Sequence, residues 1–451
     1  MPSASPAPRP NIILIFCDDL GYGDIGCYGS PVNRTPRLDR MAAEGVRFTA
    51  FYVGAPLCTP SRAALMTGCY PRRVGLDYGY RDPTLFPGDP LGLNPDEITL
   101  ARLLRDQGYA THMVGKWHLG DQPAFLPTSH GFDHYLGLPY SNDMLPDHPM
   151  NHVHQFPPLP LLRDEKVVDT DPNQASLTDN YLREAVRFIR DHRDGPFFLY
   201  FAPMYVHVPI YAPFRYLVES RNGPYGAAVA HIDHVAGVLL DTLAELGIDG
   251  NTLLIFTSDN GSSGHGGGSN APLRGAKGDT WEGGMREPFL ARWPGHIPAG
   301  STCSELATAM DLLPTLVPLA GGVPPADRTI DGRNILPLLR AEPGAHSPHE
   351  AFFYYRRNTL NAVRSGRWKL HLHTGQLVDL QTDIGERQDC GAAHPEVVAR
   401  LQAYAEACRA DLGDESRGME GVNCRPVGRV TDPRPLTSLD WRHPYMVAAY
   451  D

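Results

Sequence analysis

Two pairs of oxygen-bearing side chains stand directly after short apolar runs. Asp18 and Asp19 follow the run NIILIFC, and Asp259 and Asn260 follow the run TLLIFT and one serine. Three carboxylates and an amide oxygen form a hard oxygen set, which suits Ca²⁺ or Mg²⁺ better than zinc. Asp and Asn also form turns and cap helices, so a structural role is the alternative for each residue taken singly. Two such clusters in one chain favour a metal site.

A cysteine at the start of a predicted helix is the second candidate. In the segment LCTPSRAALMTG, Thr59 and Pro60 predict the N-cap and first helical residue, and Gly68 predicts the helix end. The dipole and free N–H groups of a helix N-terminus favour an anion at Cys58, and Arg62 can point back to that end. Cys58 could therefore be a nucleophile of low pKa. The alternative is a buried structural cysteine.

The elements that must position these residues are predicted by periodicity. Apolar runs without alternation at residues 11–17, 197–201 and 252–257 suit strands buried on both faces of a parallel sheet. Helical stripes lie between them, the longest running from Val229 to Leu246. Strands that alternate with helices indicate an α/β fold, with helices on both faces of a large sheet. Ligands of such sheets bind beyond the carboxyl ends of the strands, where the acids above are expected.

The last quarter of the chain has a different hydrophobic pattern. Short β-like runs between residues 352 and 380 are spaced like a meander, and residues 397–412 predict a helix. Residues 413–451 show little periodicity. We therefore expect a catalytic α/β domain over residues 1–340 and a smaller α+β domain over residues 341–451, with a short antiparallel sheet, a helix and an irregular tail.

Composition restricts the class of protein. The chain has 451 residues and a formal net charge of −11, which argues against a nucleic-acid partner. No apolar run approaches the roughly 18 residues of a membrane span, so we expect none. Eight cysteines without a CxxC pair favour reduced thiols. The sequence gives no indication of an oligomeric state.

Five separate motifs, in order along the chain, resemble the type I, formylglycine-dependent sulfatase family. Cys58-Thr59-Pro60-Ser61-Arg62 resembles the signature C-x-P-S-R. Two further segments, 135–143 and 266–296, resemble the arylsulfatase A and N-acetylgalactosamine-6-sulfatase subfamilies, respectively. The resemblance covers roughly residues 10–370. The other four motifs are PNIILIFCDDLGYGDIGCYG (10–29), GKWHLG (115–120), TSDNG (257–261) and KGDTWEGGMREP (277–288).

The resemblance implies an alkaline-phosphatase-like fold and a specific chemistry. In this family a separate maturation enzyme converts the signature cysteine, here Cys58, to formylglycine, whose hydrated form is a geminal diol. One hydroxyl attacks sulfur and releases the alcohol, and the other then expels the sulfate, which is covalent catalysis with a built-in release step. The expected cofactors are this formylglycine and Ca²⁺, with Mg²⁺ as the other candidate ion.

Residue roles are carried over position by position. Asp18, Asp19, Asp259 and Asn260 match the calcium ligands, together with position 58. Arg62 matches the arginine that supports the aldehyde. The remaining matches bind substrate: Lys116, His118 and Lys277 as the cationic sulfate-binding group, His207 as the general acid near the leaving oxygen, His118 also in proton handling, and Ser141 as a substrate-side hydroxyl. Each lysine or histidine taken alone would instead be a surface or structural residue.

The leading hypothesis is therefore a sulfuric ester hydrolase acting on aryl sulfates or on sulfated sugars such as galactose or N-acetylgalactosamine sulfates. A phosphonate monoester or phosphodiester hydrolase of the same superfamily is the first alternative, and a catalytically silent binding protein for sulfated glycans is the second. The proline-rich start followed by a short apolar run shows no export signal. We therefore expect a cytoplasmic, bacterial enzyme.

Overall fold

Short, mostly apolar strands form the centre of the molecule. The computed structural model describes residues 9–80, 82–149 and 151–439. Every residue of the three predicted strands is buried, because both faces of each strand are covered by helices. The strands, numbered in chain order, are β1 (Asn11–Cys17), β2 (Val46–Tyr52), β3 (Leu91–Gly92), β4 (Ala110–Gly115), β5 (His134–Gly137), β6 (Pro160–Arg163), β7 (Lys166–Thr170), β8 (Phe197–Ala202), β9 (Thr252–Ser258), β10 (Arg286–Arg292), β11 (Ser301–Cys303), β12 (Ala307–Thr308), β13 (Phe352–Arg356), β14 (Thr359–Ser365), β15 (Trp368–His371), β16 (Leu377–Asp379), β17 (Gly413–Asp414), β18 (Met419–Glu420) and β19 (Gly428–Arg429).

The helices occupy the segments between the strands. The predicted apolar stripes face the sheet from α5 and α7, and Gly68 closes α2 with a φ of +67° as predicted. The helices are α1 (Pro36–Ala43), α2 (Cys58–Thr67), α3 (Leu100–Asp106), α4 (Asn151–His154), α5 (Gln174–Asp191), α6 (Phe214–Glu219), α7 (Gly223–Glu245), α8 (Glu282–Met285), α9 (Leu312–Leu319), α10 (Leu336–Leu339) and α11 (Pro395–Leu412).

The main sheet is mixed and mostly parallel at its centre. Its order over the described residues is β11-β2-β10-β9-β1-β8-β4-β5-β6-β7, with β12 also paired to β2. The neighbours β9, β1, β8, β4 and β5 run parallel, whereas β10, β6 and β7 are antiparallel additions. One apolar core lies between the sheet and α2, α3 and α9, and the other between the sheet and α1, α5 and α7. The predicted α/β sandwich is confirmed.

The C-terminal region forms the predicted meander. Strands β13, β14, β15 and β16 pair antiparallel in chain order, and α11 packs on them through Val397, Leu401 and Ala405. This region shares the first core with the catalytic part, so the two are continuous in packing. The tail returns to the catalytic part, where β19 pairs with β3. The boundary at residue 340 stays a prediction, and the end of the irregular tail, residues 440–451, lies outside the described residues.

One helix among the described residues, α7, has the length and apolar composition to cross a membrane. Of the residues in its most apolar 18-residue window, 72% are buried inside the fold, where α7 packs against the main sheet. Burial of this kind is typical of a core helix.

Candidate active site

The carboxyl ends of five adjacent parallel strands bring the predicted site residues to one edge of the sheet. Open α/β sheets bind ligands at this edge because the segments that leave the strands meet there. The residues that follow these strands are Asp18 and Asp19 after β1, Lys116 and His118 after β4, Ser141 after β5, His207 after β8, and Asp259 and Asn260 after β9. Cys58 and Arg62 lie on α2, and Lys277 lies on the segment between β9 and α8.

The acidic residues form a buried cluster. Ligand atoms of Asp18, Asp19, Asp259 and Cys58 all lie within 4.8 Å of one another. The Asp19 backbone N–H donates to Asp259 Oδ1 at 3.2 Å, and the Asn260 amide donates to Asp19 Oδ1 at 2.8 Å. Each of the four residues that carry these oxygens is at most 3% exposed.

This cluster fits a hard divalent cation. The side-chain amide of Asn260 donates to Asp19 and to the backbone of Gly261, which leaves its Oδ1 buried with no hydrogen-bond partner among the described residues. Burial and the nearby charge of Asp18 raise the pKa of Asp259. Burial removes the water that would solvate the charged form, and two carboxylates in such a site repel each other. A cation would relieve that repulsion and satisfy the orphaned amide oxygen.

Three positively charged side chains surround the acids. Lys116 Nζ lies 2.7 Å from Asp18, and Lys277 Nζ lies 2.8 Å from Asp19. Arg62 donates to Asp259 Oδ2 from Nε and from a terminal nitrogen, at 3.1 and 2.8 Å. Two of these cations, Lys116 and Arg62, are fully buried, which is tolerated because each is paired and hydrogen-bonded.

These contacts hold the lysines and one acid in their charged forms. Burial alone would lower the pKa of Lys116, but Asp18 raises it above its ordinary value. Burial likewise opposes the charge of Lys277, and Asp19 raises that pKa well above its ordinary value. Burial would raise the pKa of Asp18, yet Lys116, His207 and Arg62 hold it well below its usual range.

The Cys58 thiol is not the low-pKa nucleophile that the helix position suggested. Burial raises its pKa to about 12, although Lys116 and Lys277 act in the other direction. The helix starts two residues earlier than predicted, at Cys58, with Leu57 as its N-cap. Thr59 therefore does not cap the helix, and its hydroxyl donates instead to the backbone oxygen of His118 at 3.0 Å. Desolvation outweighs the helix dipole here, because the whole helix is buried.

The two histidines differ in their surroundings. Burial, together with Lys116, lowers the pKa of His118 well below its ordinary value, so the ring is neutral and not part of a cationic group. Its Nε2 lies 3.0 Å from the Leu85 backbone oxygen, which assigns the proton to Nε2 and leaves Nδ1 without a hydrogen-bond partner among the described residues. His207 donates from Nδ1 to the Val208 oxygen at 2.6 Å, and its Nε2 lies 3.9 Å from Asp19 Oδ2.

A cavity of about 330 Å³ opens above this cluster. Five predicted site residues line it, namely Cys58, His118, Ser141, His207 and Lys277. Ser141 accepts a hydrogen bond from Lys116 at 3.3 Å, which joins it to the buried cations below. All predicted site residues thus meet at one site, and their individual roles stay predictions.

Sequence reasoning missed the outer wall of the cavity. Asp143 stands two residues after Ser141, so the segment PYSND carried a signal for it. Of the remaining residues, Leu57 directly precedes Cys58 in the signature segment, and the others come from two segments without a motif, where only packing identifies them. These residues are Leu57, Asp82, Thr84, Phe86, Met144, His148, His154 and Phe156.

Comparisons with known proteins agree with this geometry. The Sulfatase family model matches residues 10–323, and the model described as N-sulphoglucosamine sulphohydrolase, C-terminal matches residues 277–409. N-acetylgalactosamine-6-sulfatase of Rattus norvegicus is 44% identical over 387 residues, covering 82% of this chain and 73% of the relative. Arylsulfatase A of Bos taurus is 43% identical over 436 residues, covering 91% of this chain and 82% of the relative.

Solved structures show the same fold. A crystal structure of Ps i-CgsB in complex with k-i-k-neocarrahexaose superposes with a TM-score of 0.79 and 32% identity, covering 88% of this chain and 92% of the other. The phosphonate monoester hydrolase of Agrobacterium radiobacter, at 22% identity and a TM-score of 0.62 over 88% of this chain and 94% of the other, shares the fold alone. The chain therefore belongs to the sulfatase family and is a sulfuric ester hydrolase of the arylsulfatase type.

Proposed function

We propose that the chain hydrolyses sulfate monoesters of sugars or of aryl alcohols, using a formylglycine made from Cys58 and a calcium ion. The observation that supports this most is the position of Cys58, whose Sγ lies 3.5 Å from Asp18 Oδ1 at the base of the cavity. The unmodified thiol is a poor nucleophile there, because burial raises its pKa. Formylglycine, the modification that family membership implies, would supply a hydroxyl nucleophile at this position.

The sulfate group is assigned to the inner end of the cavity. Lys277 lines the cavity with a side chain that is 16% exposed, and Lys116 lies beneath Ser141. Both lysines are fixed by ion pairs with Asp19 and Asp18, so their charges are already oriented before substrate binds. Preorganised cations of this kind stabilise negative charge that develops on the sulfate oxygens as the ester bond breaks.

Asp18, Asp19, Asp259 and Asn260, with position 58, are proposed to hold the calcium ion. The carboxylate and amide oxygens present are the ligand types that calcium prefers, and magnesium accepts the same set. The ion would offset the charge of the bound sulfate as a Lewis acid.

The two histidines are proposed to handle protons. His207 is oriented by the Val208 carbonyl at Nδ1, so its Nε2 is the nitrogen that would protonate the leaving oxygen. His118 stays neutral with an unpartnered Nδ1, so this nitrogen can accept a hydrogen bond from the diol hydroxyl rather than bind sulfate by charge. His207 would thus serve as the acid, and His118 would orient the hydroxyl whose proton is to be moved.

The substrate class is proposed from the relatives. N-acetylgalactosamine-6-sulfatase is named for a sulfated sugar and arylsulfatase A for aryl sulfates, and both resemble this chain at 43–44% identity. A maturation enzyme that makes formylglycine is the partner this chemistry requires. The cytoplasmic location expected from the sequence stays a prediction.

The test combines mass spectrometry with parallel kinetics. The protein is produced with and without a formylglycine-generating enzyme, and the peptide containing Cys58 is analysed for the mass of the aldehyde. We expect kcat for 4-nitrophenyl sulfate to rise in proportion to the converted fraction, and Cys58→Ala to be inactive. Full activity of wholly unconverted protein would refute the proposal.

The same assay distinguishes a sulfatase from a phosphonate hydrolase and from a binding protein. An aryl phosphonate monoester is measured beside the aryl sulfate, and we expect the larger kcat/KM for the sulfate. A large phosphonate preference would assign the chain to the alternative reaction. Fully converted protein that turns over no member of a broad sulfate panel would instead be a binding protein.

A further inference from the structure

The outer wall of the active-site cavity is built from residues of two segments that lie beyond the proposed sulfate end. One is the short stretch that contributes Thr84 and Phe86. The other is the excursion of residues 138–159 between β5 and β6, which carries Asp143, His154 and Phe156. Apart from the single turn of α4, the described residues of this excursion have no regular structure, and long connections of this kind are frequently binding loops.

Four rings of this wall pack against one another. The ring centroids of Phe86 and His154 lie 4.5 Å apart, and those of His154 and Phe156 lie 5.2 Å apart with planes only 18° from parallel. Phe86 also contacts Phe156 at 5.6 Å, and His148 meets the edge of Phe156 at 5.2 Å. The result is an aromatic surface facing the cavity, with a partly exposed Phe86.

A carboxylate stands beside this aromatic surface. Asp143 Oδ2 lies 3.5 Å from His148 Nε2, and its Oδ1 is buried with no hydrogen-bond partner among the described residues. Oδ1 is shielded from the cavity, but the Asp143 side chain as a whole is 23% exposed, so Oδ2 is the oxygen that can accept a hydrogen bond from the molecule that fills the cavity. An apolar ring placed there would take this carboxylate out of water without replacing its hydrogen bonds, which is unfavourable.

The wall is held in place by its own hydrogen bonds. The Phe156 backbone N–H donates to the Asn151 side chain at 2.5 Å, and the Gln155 backbone N–H donates to the Asn151 oxygen at 2.8 Å. The Asn151 backbone N–H in turn donates to the His148 oxygen at 2.8 Å. These contacts fix the positions of His148 and Phe156 on either side of α4.

From these observations we propose that Phe86, His154 and Asp143 form the leaving-group subsite, and that it selects a hydroxylated saturated ring, a single sugar unit. The C–H face of the sugar stacks on the ring of Phe86 and its neighbour His154, and a sugar hydroxyl donates to Asp143. The cavity of about 330 Å³ is at the small end of ligand pockets, so it holds one ring beside the sulfate. This inference rests on the proposed function, because it takes the sulfate end as given.

The test uses two substrates that share a six-membered ring with a primary sulfate ester and differ in the hydroxyl groups and the ring oxygen. Galactose 6-sulfate and cyclohexylmethyl sulfate are both primary alkyl sulfates on a six-membered ring, but only the first can donate to Asp143. We expect the formylglycine-converted wild type to favour the sugar at least tenfold in kcat/KM. Asp143→Ala should lower kcat/KM for the sugar about tenfold or more and change that for cyclohexylmethyl sulfate less than threefold. Phe86→Ala should lower both, because stacking serves either ring.

Two controls separate the subsite from the rest of the enzyme. His152→Ala changes an exposed residue of the same short helix as His154 that does not line the cavity, so kcat/KM for both substrates should be unchanged. Inorganic sulfate occupies only the inner end, so its inhibition constant should stay within twofold of wild type in every variant. Thermal unfolding of each variant shows that it is folded.

The outcomes distinguish the two proposals. If the wild type hydrolyses both ring sulfates and Asp143→Ala lowers both equally, or neither, the subsite assignment is wrong. A wild type that prefers cyclohexylmethyl sulfate would overturn the selection for a sugar. If the converted wild type hydrolyses neither these esters nor an aryl sulfate, the proposed function itself fails, and the subsite with it.

Discussion

The Asn260 side chain shows how one residue links the fold to the metal. Its amide nitrogen is used by Asp19 and Gly261, and its oxygen is buried and unpartnered among the described residues. Buried polar atoms are rarely left without a partner, and such an exception is frequently explained by an ion. The same oxygen would therefore contribute to the binding energy of calcium.

The first prediction concerns this oxygen. In metal-free protein, added calcium should raise the unfolding temperature, since ligand at 100 times its Kd stabilises the fold by about 2.7 kcal/mol. In Asn260→Ala the increase should be smaller at the same calcium concentration, because a ligand is lost. Differential scanning calorimetry with and without calcium measures the increase directly, without reference to activity.

Asn33→Ala is the matched control for this measurement. Asn33 is also a buried amide, and its side chain donates to the Asp24 backbone oxygen at 2.9 Å, outside the acidic cluster. Its replacement should lower the baseline unfolding temperature and leave the calcium-dependent increase intact. Equal increases in wild type and Asn260→Ala would remove Asn260 from the ligand set.

At the scale of elements, the C-terminal sheet supports the segment that carries Lys277. Lys369 on β15 is fully buried and donates to the Thr280 backbone oxygen at 2.9 Å and to Glu282 at 3.0 Å. Its third partner is Glu386, at 2.8 Å, whose other carboxylate oxygen accepts from the Glu282 backbone N–H at 2.7 Å. The two regions therefore meet in a buried charge network behind the sulfate end of the cavity.

The second prediction tests this support. Lys369→Met should cost about 3–5 kcal/mol of the free energy of unfolding, because two buried carboxylates lose their shared cation. The variant should also bind inorganic sulfate several times more weakly, because the segment carrying Lys277 loses its anchor at Thr280. Urea unfolding and inhibition by inorganic sulfate measure the two effects separately.

Arg367→Ala provides the comparison on the same hairpin. Arg367 pairs with Asp379 at the surface, and its side chain is 41% exposed, so its loss should cost less than about 1 kcal/mol. The inhibition constant of inorganic sulfate for Arg367→Ala should match that for the wild type. Unchanged sulfate inhibition in folded Lys369→Met would show that the network supports stability alone.

At the scale of the whole molecule, the burial of a histidine is expected to lower stability in acid. His130 is 0% exposed and packs against Trp117, with ring centroids 5.8 Å apart. Burial, with a smaller effect of Arg102, lowers its pKa from 6.5 to about 3. The folded state thus binds this proton more weakly than the unfolded state does. Stability from this residue is complete above pH 6.5 and is lost as the pH falls toward 3.

The third prediction follows from this loss of stability at low pH. Between pH 6.5 and 5 this one histidine should cost about 2 kcal/mol of unfolding free energy, at about 1.4 kcal/mol per pH unit. His130→Phe keeps a planar ring beside Trp117 and removes the titrating group, so its loss of stability between pH 7 and pH 5 should be smaller. Urea unfolding of calcium-loaded protein at the two pH values is the measurement.

His346→Phe is the surface comparison for this experiment. The His346 side chain is 80% exposed, so the free energy of unfolding of His346→Phe should depend on pH in the same way as that of the wild type. An identical decrease for wild type and His130→Phe would show that other buried groups set the acid limit.

Much of the site could be predicted because its signals are local. Buried strands are recognised from runs such as residues 11–17, and the acids that follow them must lie at the sheet edge once the strands are parallel. The helix end at Gly68 and the stripe of α7 are likewise set by near neighbours in the chain. The family resemblance supplied Lys116, His207 and Lys277, which periodicity alone would have left as ordinary residues.

What the sequence determined by itself is the fold class, the strand-end acids, the position of Cys58 at a helix start and the family. Only the tertiary structure decided the ionisation of Cys58 and His118, the outer wall at Phe86 and Asp143, and the anchoring of Lys277 by the C-terminal sheet. The physical reason is the range of the interactions. Helix and strand patterns are set by residues a few positions apart, whereas desolvation and cavity shape depend on the sum of segments that are distant in the chain.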